Sequence, residues 1–243
     1  MLGKSKIKYI QTLGQKKFRD ESAVFIAEGP KLVGELIQNK NTVAREIFAL
    51  KDWIDQNKNL PVTNILTEVS ESELQKLSQL TTQNQVIGIF DKFPEHEIIA
   101  KGKITLALDR IQDPGNLGTI IRIADWFGIS QIVCDTNTVY CYNPKVVQAT
   151  MGSIARVNVV YTDLPDWISD QKDVRIFASL MEGQDVAAMK KISEGIIVIG
   201  NEAKGISQQI LDLSNVKISI PQRGSGESLN AAVATGIILS HLV

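Results

Sequence analysis

From Ile104 onward the chain alternates short apolar runs with helical stretches, and that alternation restricts the fold more than any other feature. Residues 104–108, 131–134, 157–160, 174–179, 196–199 and 216–220 have the length and apolar content of strands. Residues 117–127, 144–151, 164–169 and 207–213, and a last stretch running to the C-terminus, read as helices. Strand, helix, strand in repetition predicts a mainly parallel sheet with helices on both faces. Ile196-Ile-Val-Ile199 is apolar on both sides, as a strand covered on both faces must be.

The last strand carries the most detail. Val216, Ile218 and Ile220 alternate, Pro221 ends the pairing by removing a donor, and Gly224 and Gly226 free the backbone to turn. Ser228 or Asn230 can cap the small-residue helix that follows. Its core-facing side is expected to carry Leu229, Val233, Gly236 and Ile237, with Ala232 and Thr235 beside it. Two other loops, Asp113-Pro-Gly-Asn-Leu-Gly-Thr-Ile-Ile-Arg122 and Ile199-Gly-Asn-Glu-Ala-Lys-Gly205, also follow apolar strands and open helices. Gly-rich loops before helices bind phosphate well, which invites a dinucleotide site. The spacing argues against one: neither Gly115-Asn-Leu-Gly118 nor Gly224-Ser-Gly226 is a Gly-x-Gly-x-x-Gly after a first strand, and no P-loop occurs.

At 243 residues the chain is long enough for two domains with separate cores. Residues 93–102, with Pro94, His96 and Gly102, break the apolar periodicity and read as a linker between domains at 1–92 and 103–243. The first domain reads as α/β: a basic helix over 5–18, strands over 24–27, 44–50, 62–66 and 85–90, a helix from Pro30 to Leu36, and a helix over 70–80 that Ser70 and Glu73 would open as a capping box. Formal net charge is −1, so any nucleic-acid contact depends on local clustering. Such a cluster exists: Lys4, Lys6, Lys8, Lys16, Lys17 and Arg19 precede the first acidic residue, Asp20. Cys134 and Cys141 match no zinc or redox spacing, and no metal site is expected. His96 has no neighbouring partner in the sequence and is assigned no chemistry. No apolar run is long enough to span a bilayer, and a soluble, cytoplasmic protein is expected.

Taken together, in order and spacing, the three loops resemble the signature motifs of the SpoU (TrmH-type) RNA ribose 2'-O-methyltransferases of the SPOUT superfamily, a likeness spanning roughly 103–243. The resemblance implies a deep trefoil knot, S-adenosylmethionine held by Gly200, Ile220 and Leu229, and methyl transfer to a ribose 2'-hydroxyl. It places Arg122 at the catalytic position, either assisting removal of the hydroxyl proton with help from a substrate phosphate or staying cationic beside the developing alkoxide. Without the resemblance, Arg122 reads as a helix residue paired with Asp109 or Asp125. Asn116 matches the residue that orients Arg122 or the ribose, with a helix cap as its plainer role. Glu202 matches an acidic position that orients basic groups or a partner subunit's Arg, and Ser228 and Asn230 match a pair near the reacting groups. The resemblance further implies a homodimer with sites built from both subunits, which the small stripe through Ala231, Ala232, Thr235 and Gly236 suits. Phe25-Ile-Ala-Glu-Gly-Pro-Lys31 is similar to the substrate-binding extension of rRNA-directed members, an α/β module of ribosomal-protein type. That favours rRNA over tRNA as substrate and gives Lys31 and the basic cluster phosphate contacts. The alternatives are a tRNA enzyme or a non-catalytic RNA-binding or ribosome-assembly factor of the same fold.

Overall fold

The computed structural model describes residues 2–80 and 84–243. It divides into two compact units, the chain up to Pro94 together with Tyr140–Ala155, and Glu95–Val139 together with Arg156–Val243.

The first unit begins with two short helices, α1 (Lys4–Thr12) and α2 (Lys16–Ser22), where the sequence suggests a single one over 5–18. Gly14 falls at the break. The Arg19 side chain, 2% exposed, folds back to donate to the carbonyls of Leu13 and Gly14, both at 2.8 Å. Its guanidinium thus satisfies carbonyls that the end of α1 leaves without helical partners. Next come β1 (Val24–Glu28), α3 (Pro30–Gln38), β2 (Ala44–Ala49) and α4 (Lys51–Gln56). Residues 62–66, expected as a strand, instead form a 3-10 turn over Thr63–Ile65, and β3 (Leu66–Glu68) follows it. After them stand α5 (Glu71–Leu77) and β4 (Val86–Asp91). Ser70 opens α5 with the expected capping box. The Glu73 carboxylate accepts from the Ser70 and Leu2 amides, and these bonds hold its pKa at about 2. The sheet order is β1-β4-β2-β3, with β4 antiparallel to both neighbours and β2 parallel to β3.

The second unit opens with β5 (Ile104–Leu108), α6 (Pro114–Trp126) and β6 (Gln131–Asp135). The chain then forms α7 (Pro144–Thr150), which belongs to the first unit although the sequence groups it with the second domain. There Val147, Ile154 and Ala155 share a core with Phe25, Ala27 and Leu36, and Tyr142 lies 5.2 Å from Phe25, ring centre to ring centre. The second unit resumes with β7 (Asn158–Thr162), α8 (Leu164–Ser169), β8 (Ile176–Leu180), β9 (Gln184–Asp185), β10 (Gly195–Ile199), α9 (Gln208–Leu213), β11 (Val216–Ser219) and α10 (Ala231–Leu242). Its seven strands run β7-β6-β5-β10-β8-β11-β9, parallel at every pairing, as the alternation predicts. Two-sided burial explains the unbroken apolar run of β10, which is buried throughout.

The orientation of α10 corrects the sequence reading. Its buried residues are Ala231, Ala232, Thr235, Ile238, Leu239 and Leu242, whereas Val233 is 51% exposed and Leu229, just before the helix, 49%. Of the stripe expected to face the core, Leu229 and Val233 face outward, whereas Gly236 and Ile237 are half-buried, Gly236 against Ile123 of α6, and Ala232 and Thr235 are buried beside them. The helix packs on α6, and the Leu242 carbonyl accepts from the Ile192 amide at 2.7 Å.

Candidate active site

In a parallel sheet ligands collect outside the carboxyl ends of the strands. Here β8, β10 and β11, neighbours in the sheet, end at Leu180, Ile199 and Ser219 around one cavity of about 620 Å³. Gly200, Ile220 and Leu229, the residues that the resemblance assigns to the cofactor, all line it.

The loop after β10 is braced by its own hydrogen bonds. Asn201 and Gly205 exchange backbone bonds at 3.1 and 2.9 Å, and Gly205 sits at φ +66°. Gly200 passes so close that a Cβ would lie 2.5 Å from the Gly205 carbonyl carbon and the Ile206 nitrogen. The Asn201 side chain accepts from the amides of Ala203 and Lys204 and donates to the Arg110 carbonyl at 2.7 Å. Buried Asp109 fixes the loop's far side, accepting from Ser207 N–H at 2.6 Å and Arg110 Nε at 2.8 Å.

This frame presents Glu202 to the other two motif loops. Asp113 caps α6 by accepting from the Asn116 amide at 2.8 Å, so the cap role open to Asn116 belongs to Asp113. The buried Asn116 side chain is free to bridge, donating from Nδ2 to Glu202 Oε1 at 2.7 Å and accepting at Oδ1 from Asn230 Nδ2 at 2.8 Å. Asn230, not Ser228, caps α10, its Oδ1 accepting from the amides of Ala232 and Val233. A carboxylate, two amides and a helix N-terminus thus form one chain in which every bond polarises the next in the same direction. Three loops separated by 86 and 114 residues are locked together by these two side-chain contacts.

Ser228 lines the cavity and is exposed. Arg122 does not line it. Arg122 lies on the exposed side of α6 with Gly115, Thr119 and Trp126, and Trp126 is 85% exposed. Both carboxylates available for a pairing are engaged elsewhere, Asp109 by Arg110 and Asp125 by Arg156 at 2.8 Å. Among the described residues Arg122 makes no side-chain hydrogen bond or ion pair. In the first unit, Arg19 is a correction: buried and bonded to two carbonyls, it is not available to phosphate. Lys6 pairs with Glu46, Lys16 with Asp20 and Lys17 with Glu21, while Lys4, Lys8 and Lys31 are exposed. Asn201, Met181, Lys204 and Arg223 are not singled out by the sequence, and Asp109 is singled out only as a partner for Arg122. Asn201 and Lys204 lie inside a recognised motif, but their importance follows from contacts that only the folded loop makes.

The SpoU rRNA methylase family profile matches residues 103–240, more than half of the chain. The chain belongs to the SpoU rRNA methylase family. Its amino-terminal stretch, residues 4–88, matches the MRM3-like substrate binding domain. A relative from Bacillus subtilis, 23S rRNA (guanosine(2553)-2'-O)-methyltransferase RlmP, is 30% identical over 240 residues, covering 98% of this chain and 95% of the relative. The crystal structure of AdoMet-bound rRNA methyltransferase from Sinorhizobium meliloti superposes with a TM-score of 0.85 at 31% identity, covering 99% of this chain and 95% of that one. AviRb from Streptomyces viridochromogenes, in complex with AdoMet, shares the fold at a TM-score of 0.82 and 22% identity.

The SpoU cavity suits S-adenosylmethionine on its own chemistry. Its walls include Ile199, Ile218, Ile220 and Leu229, which can cover a purine. From Gln222 to Leu229, among the described residues, no backbone amide donates to a backbone carbonyl, leaving polar groups to read a ligand's edge.

Proposed function

We propose that this SpoU protein transfers the methyl group of S-adenosylmethionine to a ribose 2'-hydroxyl of rRNA. The observation that carries the reading is the Glu202–Asn116–Asn230 chain, which joins all three motif loops beside the cavity. The choice of rRNA rests on relatives that match nearly the whole chain, the amino-terminal unit included. Bound in the cavity, S-adenosylmethionine would supply an electrophilic methyl on a sulfonium. Gly200, Ile220 and Leu229 would hold it, the two apolar side chains covering it and the backbone offering polar groups. Asn230, fixed by Asn116 and the start of α10, and Ser228 position the ribose, and Glu202 anchors the chain electrostatically. Arg122 acts on the 2'-hydroxyl proton or the developing alkoxide.

Because Arg122 stands on the outward side of α6, it serves the cavity of a second copy. The outward apolar stripe of α10 through Leu229 and Val233, with Trp126 of α6, is the surface on which two copies meet. Apolar area of this kind is stabilised by removal from water. The carboxyl-terminal segment passes through a loop of earlier chain as a knot, a reading supported by β11 lying between β8 and β9 while Leu242 bonds Ile192. Residues 1–92 bind RNA, with Lys4, Lys8 and Lys31 on phosphates; 93–102 lead into the 103–243 stretch that carries the three motif loops. No helix among the described residues is long and apolar enough to cross a membrane, and we propose that the enzyme works in the cytoplasm.

The test is ribose-methylation mapping of cellular RNA with and without the gene, together with single-turnover transfer by Arg122→Ala. One rRNA mark should disappear, and the variant should lose about two to four orders of magnitude in rate while keeping its affinity for S-adenosylhomocysteine. Lost marks confined to tRNA would overturn the substrate; a variant reacting at the parent rate would overturn the role of Arg122.

A further inference from the structure

We infer that Lys204 and Arg223 grip the RNA backbone on the two sides of the target ribose, a reading that rests on the cavity being the methyl-transfer site. Both residues line the cavity, one on the loop after β10 and the other on the loop between β11 and α10. Among the described residues neither makes a side-chain hydrogen bond or an ion pair. Glu202 is the one carboxylate among the lining residues, and it is engaged by Asn116. The lining residues therefore carry a formal charge of +1, two cations against the one carboxylate, in a chain whose formal net charge is −1.

Both cations stand on braced backbone. The Lys204 amide donates to Asn201 Oδ1 at 3.0 Å. Gln222, next to Arg223, donates from Nε2 to the carbonyls of Gly224 and Gly226 at 2.9 and 2.6 Å, drawing that loop into a compact turn. Little ordering is left to be done when a ligand binds. The ligand is a pair of anions, because a ribose within RNA has one phosphodiester on its 5' side and another on its 3' side. S-adenosylmethionine has a single carboxylate, so it can engage at most one of the two cations. Arg223 can take two phosphate oxygens at once with its planar fork, and Lys204 supplies a point charge. This gives the catalytic unit its own hold on the substrate, separate from the lysines of the amino-terminal unit.

The experiment uses the full chain and in vitro transcribed large-subunit rRNA. Lys204→Gln, Arg223→Gln and the double variant are compared with the parent by equilibrium filter binding between 50 and 200 mM salt, and S-adenosylhomocysteine binding is measured by calorimetry. Each single variant should bind RNA about tenfold more weakly at roughly 100 mM salt and lower the slope of log affinity against log salt by about 0.7 to 0.9. Cofactor affinity and thermal midpoint should stay at parent values. An unchanged slope overturns the inference, as does a variant that loses S-adenosylhomocysteine affinity but not RNA affinity, which would assign the cations to the cofactor carboxylate. A parent chain that binds no S-adenosylhomocysteine would refute the methyl-transfer reading instead, and the slopes would still decide whether these two side chains hold RNA.

Discussion

Asn116→Asp exchanges one NH₂ for an oxygen at nearly constant volume, yet it turns the 2.7 Å bond to Glu202 into a contact between two carboxylates. With both ionised, Coulomb repulsion at an effective dielectric constant of about 20 would cost roughly 6 kcal/mol. The pair has a less costly state, in which it retains one proton and keeps the hydrogen bond. Holding that proton on a group whose ordinary pKa is about 4 costs roughly 1.4 kcal/mol per pH unit, or about 4 kcal/mol at pH 7. The smaller figure wins and bounds the destabilisation. The folded pKa of the pair is raised above its unfolded value, so the cost is absent below about pH 4 and grows as pH rises toward the folded value. At pH 5 it should therefore be about 1.4 kcal/mol. For a chain of this size the thermal midpoint should fall by roughly 8 to 16 °C at pH 7 and by roughly 3 to 6 °C at pH 5. Thermal unfolding of parent and variant at the two pH values measures this. A deficit of equal size at both, or none at pH 7, would refute the bonded chain from Glu202 to Asn230.

Replacing Arg19 by Met leaves the Leu13 and Gly14 carbonyls without their donors and should cost about 2 to 4 kcal/mol in denaturant unfolding, with RNA affinity held within about twofold. Burial alone would raise the Asp20 pKa, but hydrogen bonds from Lys16 and Lys92 with their charges prevail and hold it at about 2, and Glu73 is held at about 2 by the amides of Ser70 and Leu2. Both folded values lie below the ordinary 3.8 and 4.5, so the stability they contribute is present above about pH 4.5 and is lost as pH falls toward 2. Thermal midpoints across that window should decline more steeply for the parent than for the double variant Asp20→Asn, Glu73→Gln. Val233→Asp with Trp126→Ser should convert a dimer to monomers in light scattering while each monomer keeps its fold, because both side chains face outward. A double variant that remains dimeric would place the subunit interface elsewhere.

Patterns that depend only on neighbours along the chain are legible in the amino-acid order. The period of strand and helix, the capping box at Ser70, Pro30 at a helix start and the end of β11 just before Pro221 all act over a few residues, and all appear in the fold. The motif loops are legible as well, because glycines and capping residues before helices leave a mark in one dimension. Their mutual bonding is not: Asn116 and Asn230 are 114 residues apart, and nothing in either stretch says which side-chain atom meets which.

The sequence by itself determined that the second unit would be a parallel α/β sheet whose three motif loops each lead into a helix, since central strands covered on both faces are apolar and Asp113 and Asn230 can cap the helices that follow them. Only the tertiary structure decided which way α10 faces. In Ala231–Leu242 apolar side chains lie on nearly every side, so periodicity has no polar face to set against an apolar one, and packing on α6 selects the buried stripe. The same holds for Arg19 and for Tyr140–Ala155. A cation in a basic run and a helix between two strands have ordinary local readings, and packing reassigns each: the break at Gly14 brings Arg19 to two carbonyls five and six residues earlier, and the core around Phe25, more than a hundred residues away in sequence, takes α7.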